Sequence, residues 1–308
     1  MSVNFLSYEL LNYVLMQTQA LPYVALLGTL WGVNLVVSRF GIGQFDPVLF
    51  AGLRVGLAAS GYAAIYALSR ERQWPRNGRL WQRAIILGII GTAVPMVSII
   101  SSLQYQSSGV TAVFITTAPA YIVLAAHFFL PDEPLNWPKG AGVLLALIGA
   151  LVIVISGENG LPDVSETNPL GYGLIALALT GETFGAIFIR RYMRDFDALE
   201  VTSVRLLTAA AVLMPLALLW RGFDLSRVDG QGVLSLLFAA LAGVFMAQFL
   251  AFYITRRFGA TIFSTTSYVI PVAAAIAGVF LLGETITAVM IIGMALIATG
   301  ITLINRYT

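Results

Sequence analysis

From Leu21 to the C-terminus the chain alternates apolar runs of about 20 residues with short clusters of proline, glycine and charge. As a helix rising about 1.5 Å per residue, such a run crosses the roughly 30 Å of a bilayer core. Breaking the chain at the polar clusters predicts ten helices, starting near Leu21, Pro47, Leu80, Ser108, Pro138, Pro169, Ala198, Gln231, Gly259 and Ile286. Transmembrane strands would be about half as long and would alternate polar with apolar positions, which these runs do not. The expected fold class is therefore an all-α membrane protein.

The runs repeat. "SRFGIGQFDPVLFAGLRVGLAA" aligns with "IRRYMRDFDALEVTSVRLLTAA" at a shift of about 151 residues, matching Arg39 with Arg190, Asp46 with Asp197 and Arg54 with Arg205. Further on, Glu133 matches Glu284, Gly142 matches Gly293, and Gly149 matches Gly300. Each half holds five spans, and because five is odd the second half enters the membrane from the opposite side. Inverted repeats of this kind build transporters whose site near the midplane opens alternately to each side. The expected organisation is an N-terminal cytoplasmic or interfacial segment (1–20), a first repeat (21–157), a periplasmic connection (158–168) and a second repeat (169–308).

Composition agrees: 58% of residues are hydrophobic and 10% charged, against about a quarter charged in soluble domains. No basic stretch precedes the first run, so residues 1–20 do not read as a cleaved signal peptide. Arginines crowd the connections on one side, among them Arg70, Arg72, Arg76, Arg190, Arg191 and Arg257, while Arg39, Arg221 and Arg227 fall on the other. By the positive-inside rule both termini are cytoplasmic. The net charge of +2 is small and dispersed, so nucleic acid is not an expected partner. Cysteine is absent, which excludes disulfides and thiol chemistry.

The stretches "GTLWGVNLVVSRFG", "DPVLFAGLRVGLAA", "APAYIVLAAHFFLPDEPLNWPKGAGVLLALIGALVIV" and "IPVAAAIAGVFLLGETITAVMIIGMALIATGI" resemble the drug/metabolite transporter superfamily, specifically its ten-helix members built from two EamA domains. The resemblance covers nearly the whole chain from about residue 21. It implies export of amino acids, aromatic and other neutral ones, or related metabolites across a bacterial inner membrane. One departure stands out: the first half has Trp31 and Gly32 where the second has Glu182 and Thr183.

Glu182 lies halfway along the sixth run, where a carboxylate is costly unless it faces a cavity, finds a partner or takes up a proton. It is the leading candidate for a substrate ammonium contact or a proton carrier; the alternative is a structural bond through Thr180 or Thr183. An amino acid also needs donors for its carboxylate and an adaptable apolar wall. Ser98, Ser102, Thr117 and Ser267 supply hydroxyls, Asn34 an amide, and Trp31, Tyr121 and Tyr268 an aromatic wall, all at helical spacing on their runs. Packing between helices uses the same small polar residues. Arg54 and Arg205 read as structural or gating residues that snorkel to opposite interfaces. Glu133 and Glu284 read as helix-start caps and pairing partners in tight hairpins, and Pro119 and Pro271 as paired bends.

His127 is the only histidine and cannot assemble a metal site by itself, so neither metal nor cofactor is expected. The phosphate-binding Walker loop and the motifs of intramembrane hydrolases are missing, so neither ATP drive nor an enzyme is expected. The expected partners are a small-molecule substrate and membrane lipid. The competing expectations are a lipophilic-cation exporter of the same fold and a membrane protein that transports nothing.

Overall fold

The computed structural model describes residues 2–69, 72–131, 133–162, 167–220 and 222–307, with side chains from Thr18 onward except at 260 and 261. Arg70 and Arg221, both counted in the charge asymmetry, lie outside the described residues, as does part of the connection after the fifth helix. Ten helices are long and apolar enough to cross a membrane: α1 (Thr18–Gly41), α2 (Pro47–Leu68), α3 (Gly78–Ser102), α4 (Ser108–Phe129), α5 (Trp137–Ile155), α6 (Pro169–Tyr192), α7 (Ala198–Trp220), α8 (Gly230–Phe258), α9 (Ile262–Leu282) and α10 (Ala288–Arg306). Helical backbone continues ahead of α1 from Ser2.

Short polar side chains set the starts. Asp46, Asn77, Ser107, Asn136, Asn168, Asp229 and Thr287 each accept from backbone amides of the first turn that follows, and Asp197 does so for α7. These bonds satisfy amides that have no carbonyl partner within the helix. With ten crossings, both ends of the chain lie on one face of the bundle, here the terminal face; the opposite one is the far face.

The two halves interleave as a twofold relation requires. Gly142 of α5 lies against the carbonyl of Gly300 in α10, and Gly149 against that of Gly293, where an added Cβ would stand 2.6 and 2.7 Å from oxygen. Repeat mates thus exchange contacts across the pair, and only glycine lets the two backbones approach so closely. Gly149→Leu is expected to cost at least about 1–3 kcal/mol by overpacking. A thermal unfolding scan of the detergent-purified protein checks it, and an unchanged midpoint contradicts this account of the α5–α10 crossing.

Two features escape the hydrophobic pattern. In α3 the segment Ile89–Ala93 is wound as a π-helix, and in α8 the segment Phe238–Met246 is too. The repeat shift places one upon the other. The first ends beside Pro95, whose missing N–H accounts for it; no proline marks the second. The mid-points of α6 and α1 dock on these segments: Gly181 lies on the Ile90 carbonyl, and the Asn34 side chain fills the space over Gly243.

The interruptions of α4 and α9 fall at threonines ahead of the two prolines. α4 is interrupted at Thr116 and Thr117, whose hydroxyls donate to the carbonyls of Val113 and Phe114, and Pro119 merely begins the next helical segment. α9 is interrupted at Thr265, and Pro271 sits inside continuous helix. Threonine hydroxyls that bond back onto the preceding turn mark both breaks.

Candidate functional site

The repeat's departure at positions 31–32 and 182–183 shapes the interior. Gly32 lets α1 press onto α9, where an added Cβ would meet the Ile270 carbonyl at 2.6 Å and the Ala273 Cβ at 2.8 Å. The matching position on α6 is Thr183, buried and with its hydroxyl unpartnered. A side chain there denies α6 the same close approach to α4. Ile175 and Leu179 fill the far-face half of the α6–α4 contact, packed in one cluster with Val110, Val113 and Phe114. Glu182 continues that face one turn on, where the apolar filling ends.

Glu182 is neither fully buried nor exposed, and no described residue bonds to it or pairs with it. The structural alternative for it lacks its partners: Thr180 donates to Ala176 of its own helix at 2.8 Å, and Thr183 bonds to nothing. Trp31, Tyr121, Ser267 and Tyr268 share the intermediate exposure of Glu182, whereas Asn34, Ser98, Ser102 and Thr117 are buried. Trp31 meets Phe263 edge-on with ring centroids 6.1 Å apart. Tyr121 and Tyr268 flank the same apolar cluster as Leu179.

Several candidates spend their polar atoms elsewhere. Ser102 donates to Ile99 and Thr117 to Phe114, each within its own helix. The Tyr268 hydroxyl turns to α10, 3.2 Å from that of Thr302, and accepts from Asn305. Asn34 faces α8, with its carbonyl oxygen unpartnered. His127 is exposed and accepts from the Leu135 amide, and among the described residues no group of side chains could hold a metal.

The two ends of the bundle differ. At the far face Glu284, 5% exposed, accepts from the Ser108 amide at 2.8 Å, the Ser108 hydroxyl at 2.7 Å and the Gly109 amide at 3.2 Å. It also pairs with Arg39 at 3.3 Å, and Arg39 donates to the Gln106 carbonyl at 2.6 Å. The glutamate therefore caps α4 in the other half of the chain and not its own hairpin, as the sequence suggested, because Thr287 already caps α10. At the terminal face the mates Arg190 and Glu133 pair with one another. There the carboxylate is more open, its side chain 24% exposed against 3% for Glu284. Gly259, the counterpart of Gly109, has nothing near its Cβ position, whereas a Cβ at Gly109 would meet Met290, Ala275 and Ser107. In α4 every residue from Ser108 to Phe114 is buried, but only Ala120 and Ala126 in the segment from Ala118 onward. The Arg–Glu pair at the far face is thus the more enclosed of the two.

Two cavities lie off this axis. One of about 650 Å³, almost wholly apolar, sits between α1 and α8 beside Val36, Phe40 and Leu241. The other, of about 240 Å³, lies among Phe129, Leu130 and the arginines 190, 191 and 194. Neither touches Glu182. Glu182 itself is an acid at mid-depth with no counter-ion among the described residues.

The sequence matches the EamA-like transporter family twice, over residues 18–155 and 169–306, with both boundaries offset by the repeat shift. The chain belongs to this family. It is a transporter and not an enzyme. Among EamA relatives, it is 25% identical to an uncharacterized transporter of Archaeoglobus fulgidus, over 92% of this chain and 97% of the relative. It is 26% identical to a probable amino-acid metabolite efflux pump of Salmonella typhimurium, over 90% and 91%. With an uncharacterized inner membrane transporter of Escherichia coli, YedA, the identity is 27% over 93% and 92%. A crystal structure 21% identical superposes with a TM-score of 0.64 over 93% of this chain and 96% of the other, which supports the fold. Each EamA repeat thus supplies one member of each Arg–Glu pair, Arg39 and Glu133 from the first and Arg190 and Glu284 from the second, and one mid-membrane helix docked on a π-helical segment of the other.

Arg54 corrects an expectation. It does not snorkel to an interface but is 3% exposed, its Nη1 donating to Ser38 Oγ at 3.1 Å. The face of α2 that carries Phe50 and Arg54 packs inward, Phe50 filling the space beside Gly41 at the end of α1.

Proposed function

We propose that the protein exports neutral amino acids, aromatic ones included, or closely related metabolites across a bacterial inner membrane by alternating access. The relatives named as an amino-acid metabolite efflux pump and as an inner membrane transporter support the solute class and the membrane. The charge asymmetry of the connections supports cytoplasmic termini, so the terminal face is inner and the far face outer. On that assignment the less enclosed Arg190–Glu133 pair faces the cytoplasm, the side from which an exporter loads.

The observation that carries the reading is Glu182, an acid without a protein partner at mid-depth. A substrate ammonium supplies the missing counter-charge, and Trp31, Tyr121 and Tyr268 form the wall for an apolar or aromatic side chain. Ser267 adds a hydroxyl beside them. Ser98, Ser102, Asn34 and Thr117, being buried, act by shaping the walls. Arg39 with Glu284 forms the outer gate, and Arg190 with Glu133 the inner one.

A lipophilic cation would satisfy Glu182 and the aromatic rings equally well, so the test includes one. Purified protein in liposomes is offered labelled phenylalanine, leucine and a tetraphenylphosphonium-type cation, with and without a pH gradient. Saturable amino acid uptake is the expected result. Uptake of the cation alone replaces this reading with multidrug export, and uptake of neither removes both.

A further inference from the structure

Two guanidinium groups belong to neither gate: Arg54 of α2 and Arg205 of α7, the eighth residue of each helix and matched by the repeat. Arg54 has the Ser38 hydroxyl as its one hydrogen-bond partner, and its Nε has none. The Nε of Arg205 is also unpartnered, though its side chain is only half-buried. Neither forms an ion pair among the described residues. A guanidinium keeps its charge at any physiological pH, so within a membrane-spanning bundle it calls for an anion.

The surroundings indicate which anion. On α1, one turn before Ser38, the Asn34 carbonyl oxygen is an unpartnered acceptor, so orphan donor and orphan acceptor stand on neighbouring helices. The unpartnered donor of Arg54 complements an anionic group on a solute, and Asn34, packed over Gly243 of α8, remains part of the wall beside it. A lipid headgroup fits poorly at Arg54, which is 3% exposed and lies inside the bundle. The inverted repeat puts Arg54 about 10 Å below the far-face end of its helix and Arg205 as far from the terminal-face end. The enclosed Arg39–Glu284 pair lies at the end nearer Arg54, and Arg205 is the more exposed of the two arginines.

We propose that Arg54 and Arg205 are twin carboxylate contacts, engaged in turn as the substrate crosses, which restrict transport to solutes bearing a carboxylate. This rests on the export reading and deepens it. Arg205 takes the carboxylate while the terminal face is open, and Arg54 takes it once the far face opens. Glu182 between them answers the ammonium group.

The test compares uptake of phenylalanine, phenylalaninamide and a tetraphenylphosphonium-type cation into liposomes, for the wild type and for Arg54→Gln, Arg205→Gln, Arg54→Lys and Arg205→Lys. Wild-type kcat/KM is expected to favour the acid over the amide by at least about tenfold. Each Gln variant brings the ratio close to one, and each Lys variant keeps part of it. The ratio is internal to each sample, so a general loss of folded protein does not mimic the effect. Equal transport of acid and amide by the wild type overturns the carboxylate contacts while leaving amine-bearing metabolite export standing. A Gln variant with the wild-type ratio overturns the contact at that arginine. Uptake of the cation alone overturns the export reading and these contacts with it. The series is run in both zwitterionic and anionic lipid; an arginine effect confined to anionic lipid identifies a lipid contact instead and also overturns the proposal.

Discussion

Glu182→Gln is expected to lower amino acid uptake by at least about 100-fold while leaving expression and monodispersity unchanged. The substitution keeps shape and removes charge. Because Glu182 bonds to no described residue, no structural partner is stranded by the change. A structural carboxylate behaves oppositely, since removing one member of a buried pair costs about 3–5 kcal/mol of stability. Glu182→Asp retains the charge one methylene further back and is expected to retain partial uptake with a raised KM. If the Gln variant transports at the wild-type rate, the acid is not the ammonium contact and the site lies elsewhere on the axis.

The second large effect concerns the far-face lock. Glu284→Ala removes the acceptor for two amides and a hydroxyl at the start of α4, and the counter-ion of Arg39, in one step. Breaking a buried, hydrogen-bonded charge network of this kind costs the locked state about 3–5 kcal/mol, a population shift of roughly 10²–10⁴ toward opening at that face. The natural chain has no cysteine, so a single Gln106→Cys substitution reports access without a background. In the Glu284→Ala variant that introduced thiol is expected to react much faster with a membrane-impermeant reagent added from the far face. Uptake should fall, because a bundle resting open at the far face no longer loads from the other. The mirror variant, Glu133→Ala, should leave labelling at position 106 nearly unchanged, since its pair is the more open one. Equal effects from both glutamates would refute the asymmetry of the two ends.

The same pair of glutamates shows how far sequence reasoning reaches. Their spacing and repeat relation mark them as pairing partners, and each pairs with an arginine, Glu284 with Arg39 and Glu133 with Arg190. Which helix each would cap is a question of tertiary contact, and Glu284 reaches across the twofold relation to α4. Arg54 is similar: its position two turns into an apolar run is legible, but whether a long stem turns outward or inward depends on which face of α2 meets α1. The helix breaks near the two prolines have a local cause. Pro119 follows a break made by threonines, and Pro271 is accommodated within a helix, so residue type alone did not locate the interruptions.

Apolar run length, capping residues and the repeat shift determined ten helices, two inverted halves and an isolated acid at mid-depth, because burial of backbone and side chain in hydrocarbon leaves few other solutions. The π-helical segments of α3 and α8 and the unequal enclosure of the two Arg–Glu pairs belong to the tertiary structure alone. An inverted repeat encodes both ends with nearly the same residues, and two arrangements of such a bundle differ in packing that no single-chain pattern records. The one asymmetry visible in the sequence, Trp31–Gly32 against Glu182–Thr183, acquired its meaning when the fold showed Gly32 in contact with α9 and Thr183 without a partner.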